Sequence, residues 1–164
     1  MLRNTNLILT SKGLICPDRI IPVSIGKGGV SRRVREHEKT TPSGDHHIIG
    51  MLYRPDRIRK PRDWAMPILL NSSWSDDIKD PDYNLMVSFS DKYSRKILHI
   101  PAPNYDLILL TDWNWPDAIK GRGSAFFIHQ WTNEKAPTEG SIAMSRMALK
   151  WLAAKVSYGT KIII

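Results

Sequence analysis

A single cysteine, Cys16, excludes any internal disulfide, so the fold is held by burial and hydrogen bonding alone. Between Ile15 and Pro17 it reads as a small apolar filler of the core, not a reactive thiol. No apolar run approaches the about eighteen residues that span a bilayer, which argues against a helical membrane protein. The opening stretch MLRNTNLILT carries one Arg and too short an apolar segment for a secretory h-region, so no signal peptide is expected. No internal repeat or low-complexity linker is present. Acidic residues are in deficit: 16 against 24 Lys and Arg give a net charge of +8, which favours an anionic partner.

What is present fits one globular domain spanning 1–164, with 41% hydrophobic and 24% charged residues. Short β-favouring runs recur at 6–10, 19–25, 46–52, 85–89, 105–111, 124–130 and 160–164, separated by Pro, Gly, Asn and Asp. The pattern predicts a mostly β fold, a sandwich or barrel. One segment reads as a helix: Ser145 as N-cap, then RMALKWLAAKV with Leu149, Leu152, Ala153 and Val156 on one face. Residues 54–84, rich in Pro, Arg, Asp and Trp without a clear period, read as a long ordered excursion over the barrel.

Near the end of the chain, GRGSAFFIHQW (121–131) places His129 at the end of an apolar β-rich run, and PTEGSIAMS (137–145) places Ser141 directly after Gly140. A strand carrying a polar ring, then a loop and a Thr-x-Gly-Ser turn, is a way to bring a base to a nucleophile. The two side chains are expected within or near hydrogen-bond reach at the floor of a groove. Gly140 permits the tight turn, and the following helix brings N–H groups that favour nearby negative charge.

This block resembles the active-site signature of the YkuD-type L,D-transpeptidase family, in the branch where the turn reads Pro-Thr-x-Gly-Cys. KTTPSGDHHIIGMLYRPDR (39–57), WSDDIKDPDYN (74–84) and YDLILLTDWN (105–114) resemble further segments of that branch in the same order, and the similarity covers most of residues 6 to 155. It implies an L,D-transpeptidase-like β-sandwich or barrel with a helix after the nucleophile turn, no cofactor, and peptidoglycan stem peptides as partner. In such enzymes a cysteine thiolate attacks the carbonyl of the L-centre of meso-diaminopimelate, expels D-Ala and leaves a thioester, which an amine or water then resolves. By the resemblance, His129 stands where the base belongs and Ser141 where the nucleophilic cysteine belongs. The N–H groups around 139–141 are the oxyanion-hole candidates, and the carbonyl of Gln130 is expected to orient His129. Trp131 and Thr138 are expected to line the substrate cleft. The family resemblance also implies a periplasmic or cell-envelope location.

The chain departs from the pattern at three points. A hydroxyl at 141 needs far stronger activation than a thiol, so the simplest account is a Cys-to-Ser form that disables the enzyme; a natural pseudoenzyme or a serine-using variant is the alternative. The gap of twelve residues from His129 to Ser141 is shorter than in the common form. Ala143 replaces the usual Arg two residues after the nucleophile, leaving Arg146 or Arg122 to supply the positive charge.

Other constellations are weaker. His46 and His47 face opposite sides of a strand and have no carboxylate at ligand spacing, so no metal site is expected. Asp76, Asp77, Asp80 and Asp82 lack the Gly and Glu of a calcium loop, and GKGG (26–29) lacks the ending of a phosphate loop. The basic runs SRRVREHEK (31–39) and RPDRIRKPR (54–62) have no reading motif beside them, so nucleic acid is not expected as a partner. A nucleic-acid-binding domain remains a weaker alternative, and a non-catalytic peptidoglycan-binding module the stronger one. Trp64, Trp74, Trp113 and Trp115 are read as core by default.

Overall fold

The computed structural model describes residues 6–164. Along the chain run β1 (Leu7–Thr10), β2 (Gly13–Cys16), β3 (Arg19–Ile21), β4 (Val23–Ser24), β5 (Val30–Ser31), β6 (Thr41–Pro42), β7 (Asp45–Tyr53) and β8 (Met66–Pro67). They are followed by β9 (Ser72–Ser75), β10 (Met86–Ser88), β11 (Arg95–Ile97), a 3-10 turn at Pro103–Tyr105, β12 (Leu107–Thr111), β13 (Phe127–Gln130), β14 (Ile142–Met144), α1 (Arg146–Lys155) and β15 (Lys161–Ile163). The mostly β expectation holds, with the helix where the sequence puts it.

The main sheet runs β3-β2-β1-β15-β7-β12-β13-β14-β4, with β8 beside β7. Its two end strands, β3 and β4, are separated in sequence by Pro22 alone. The chain therefore steps from one edge to the other through one residue, which requires the sheet to curl into a nearly closed barrel. Proline suits that step because it has no N–H to leave unpaired at an edge.

Strand alternation sorts the side chains into two cores. Leu107 and Leu109 of β12, Ile128 of β13, and Ile142 and Met144 of β14 join the first core with Leu149, Leu152, Ala153 and Val156. Ser145 caps α1 by accepting from the N–H of Ala148 at 3.2 Å. Burying the leucines of its apolar face is worth about 1.5–3 kcal/mol for each side chain. Ile108 and Leu110 of β12, and Phe127 of β13, point the other way into the second core, with Trp74, Ile68 and Leu98. A three-stranded sheet, β10-β9-β11, contributes Trp74 to that second face.

The 54–84 segment is an excursion as expected, but it also forms β8 and β9. The strand expected from Ser124 starts only at Phe127, because Ala125 sits at φ +55°, outside the extended region. Pro22 likewise divides the run at 19–25 into β3 and β4. Cys16 is buried, and burial pushes its thiol up to about 11, which keeps it in the unreactive thiol form.

Candidate active site

Parity fixes which residues share a face. β13 and β14 pair in parallel, with Ile128 opposite Ile142 and His129 opposite Ala143. Ile128 and Ile142 both enter the first core, so His129, Ala143 and the preceding Ser141 face the opposite side. There His129 and Ser141 line one cavity of about 250 Å³ with Lys96, Asn104, Tyr105 and Trp131. A second cavity of about 260 Å³ reaches Ser141 from its other side, past Lys39, Trp113 and Ser124.

The imidazole is partly buried, with Tyr105 edge-on to it at 5.3 Å. Its Nδ1 lies 2.8 Å from the carbonyl oxygen of Gln130. A carbonyl only accepts, so Nδ1 carries the proton and Nε2 is left as the acceptor of the neutral ring. Asn104 donates to the same carbonyl at 3.2 Å and to Thr132 Oγ1 at 2.9 Å, tying the loop after β13 to the 3-10 turn. Burial pushes the His129 pKa down to about 4, against the upward pull of the Gln130 carbonyl, and the charge of Lys96 lowers it further. At neutral pH the ring is therefore an unprotonated base.

That shift has a thermodynamic sign. Between about pH 4 and the usual 6.5 the unfolded chain binds a proton that the folded one refuses, so His129 makes stability fall as pH drops through this window. An NMR titration of the His129 ring should find its midpoint near 4, and His129→Gln should flatten the stability slope in that window. A midpoint near 6.5 would contradict the buried, neutral ring.

The turn before β14 is stitched from several directions. Thr138 Oγ1 accepts from the N–H of Gly140 at 3.1 Å and donates to the carbonyl of Ser141 at 2.5 Å. Its backbone bonds to Ile25 and Lys27, and Thr41 Oγ1 donates to the carbonyl of Gly140 at 2.8 Å. Among the described residues no backbone acceptor engages the N–H of Glu139 or of Ser141, so these two donors stay available at the turn. Gly140 has φ +136°, and a Cβ there would come 2.9 Å from the Thr40 carbonyl oxygen. Gly140→Ala is expected to cost about 1–3 kcal/mol in chemical denaturation. An unchanged unfolding midpoint would show that the turn tolerates a side chain.

The hydroxyl of Ser141 does not meet the imidazole. It donates to the carbonyl of Ala125 and accepts from the N–H of Phe127, each at 3.2 Å. The register gives the reason: Ser141 falls opposite Phe127, and His129 lies two residues, roughly 6.6 Å, further along the strand. The two side chains thus share a cavity without a hydrogen bond between them, the hydroxyl being held by main chain.

Trp131 and Thr138 line the His129 cavity, although the Thr138 hydroxyl is committed to the turn. Arg146 and Arg122 are not brought to it. Arg146 pairs with buried Asp106 at 2.9 Å, and Arg122 lies over the Trp113 ring at 5.0 Å in a separate cavity. His46 is buried against Trp113 and Phe126, while His47 bonds Asp112 at 2.8 Å. Lys96, Asn104 and Tyr105 were not visible as site residues in the sequence, since no motif or period marks them.

The curled β-sheet thus sets a neutral imidazole and a post-glycine hydroxyl at adjacent parallel strands, over one cavity. Residues 3–164 match the family YkuD, L,D-transpeptidase catalytic domain, and the chain belongs to that family. The family's activity is L,D-transpeptidase-type, its substrate is peptidoglycan, and its members are usually associated with the cell envelope. No curated protein and no solved structure matches the chain. No helix among the described residues is long and apolar enough to cross a membrane.

Proposed function

We propose that this domain is built for acyl transfer on peptidoglycan stem peptides at the cell envelope, with His129 as base and position 141 as the attacking group, and that serine at 141 leaves it disabled. The observation that carries the reading is the ring of His129, whose Nδ1–H is engaged by Gln130 and whose Nε2 is free, in one cavity with Ser141. A thiol at 141 would give its proton to Nε2 and attack the carbonyl of the L-centre of diaminopimelate. The tetrahedral oxygen would meet the N–H groups of Glu139 and Ser141, collapse would expel D-Ala, and the thioester would pass to an amine or to water. A hydroxyl is much less acidic than a thiol and needs far stronger activation.

A second reading, a module that holds stem peptides without cutting them, is favoured by the Ser141 hydroxyl itself, which is 8% exposed as a residue and spent on Ala125 and Phe127. Both readings expect binding. Titration of a stem tetrapeptide into the chain as it stands should show saturable binding that weakens as salt rises, because charges more than about 8 Å apart are screened at physiological ionic strength. Equal affinity for the tetrapeptide and for DNA would mean that the net charge of +8, and not a shaped groove, accounts for the binding.

A further inference from the structure

The two cavities that meet at Ser141 have three residues in common: Lys96, Glu139 and Ser141. Glu139 already has a cation, since Lys39 lies 3.1 Å away. Two neighbouring cations are engaged as well, and Arg35 lines only the cavity that does not include His129. Arg95, next to Lys96 on β11, is turned to Asp80 and the carbonyl of Ser88, and Arg146 is held by Asp106. Lys96 differs: no described residue offers it a carboxylate within ion-pair distance or a hydrogen-bond acceptor. A partly buried ammonium on a cavity wall has lost some of its water and gained no counter-charge. An anionic group entering the cavity would restore the balance.

We infer that Lys96 anchors a peptide carboxylate, that of the residue following the carbonyl presented to position 141. One residue of extended chain spans about 3.3–3.6 Å, short enough to keep that carboxylate within the reach of a lysine that shares both cavities with Ser141. The identity of the peptide rests on the peptidoglycan reading, but recognition of a carboxylate at Lys96 does not. The sequence assigned this positive charge to Arg146 or Arg122, and the fold gives both other partners. The charge of Lys96 also reaches His129, so a bound carboxylate would partly neutralise it and let the ring protonate at higher pH.

The test uses NMR titration of the full chain, reading the His129 ring, with two pairs of probes: a stem tetrapeptide and its C-terminal amide, and N-acetyl-D-alanine and its amide. The free acids should bind about tenfold more tightly than the amides, as a charge-assisted hydrogen bond allows. Lys96→Gln should erase that preference and Lys96→Arg should keep it. Lys12→Gln, which removes a charge elsewhere, should leave it unchanged. Free acid, not amide, should move the His129 titration upward. If the tetrapeptide binds but acid and amide bind alike, or Lys96→Gln keeps the preference in a variant with native spectra, the Lys96 inference falls and the peptidoglycan reading stands. If the tetrapeptide fails to bind while N-acetyl-D-alanine is held in a Lys96-dependent way, the carboxylate site stands and the peptidoglycan reading falls. Absence of binding by either acid overturns both.

Discussion

Ser141→Cys is expected to turn this chain into an enzyme that releases D-Ala from stem tetrapeptides, and His129→Ala in that background is expected to lower the rate by about 10²–10⁴-fold, the usual contribution of a general base. The expectation follows from the neutral ring, its Nε2 free, in the cavity that position 141 shares. A thiol is a weak hydrogen-bond partner, so at 141 it would be held less firmly by Ala125 and Phe127 than the hydroxyl is, and freer to turn toward the imidazole. Mass spectrometry of peptidoglycan digests separates the outcomes. New cross-links indicate transfer to an amine, trimmed stems indicate transfer to water, and unchanged fragments would favour the binding module.

The largest expected effect on stability lies under β11, the strand that presents Lys96. Asp80 is fully buried and pairs with Arg95 at 2.8 Å, while also accepting from Ser75 Oγ at 2.8 Å and from the N–H of Asp82 at 2.9 Å. Asp80→Ala would leave Arg95, itself only 9% exposed at its side chain, without its counter-charge, and is expected to cost about 3–5 kcal/mol. The wild-type pair should also be sensitive to acid. Burial alone would raise the Asp80 pKa, but the hydrogen bonds from Asp82, Ser75 and Arg95 outweigh it and hold the carboxyl below its usual range. A depressed folded pKa means that this stabilisation is present above the unfolded carboxylate value and lost as pH falls through the folded one. Denaturation of wild type and Asp80→Ala at neutral pH should therefore differ by several kcal/mol, with the gap narrowing in acid. A gap that is small at neutral pH would show that the three-stranded sheet does not depend on the pair.

Much of this arrangement could be read from residues alone. β-favouring runs bounded by turn residues marked β7, β12 and the end of β13, and the Ser145 cap with Leu149, Leu152, Ala153 and Val156 on one apolar face marked α1. The Gln130 carbonyl bonds the ring as the family resemblance led one to expect. β9 was not legible, since its residues Ser72, Ser73, Trp74 and Ser75 are all buried and three of them are polar. Their hydroxyls are satisfied by Leu69, Val87 and Asp80, partners that only the folded chain supplies. The same holds for Arg54 and Asp106, charged yet buried: Arg54 is held by Asp56 and the Ile100 carbonyl, and Asp106 by Arg57 and Arg146. Lys96 was missed for the opposite reason. Its significance is the lack of a partner, and a sequence does not show which lysines remain unpaired.

The central claim is that position 141 is the point of covalent attack. Intact-protein mass spectrometry of the Ser141→Cys chain, incubated with a stem tetrapeptide, measures this directly. Attack forms a thioester to the tripeptide acyl group and releases one D-Ala, the thiol proton leaving with the departing amine by way of His129. The account predicts a mass increase equal to that acyl group on the fragment containing position 141, D-Ala in equal amount, and neither in the unsubstituted chain. Tetrapeptide that binds the Ser141→Cys chain, yet leaves it unmodified and releases no D-Ala, would contradict it.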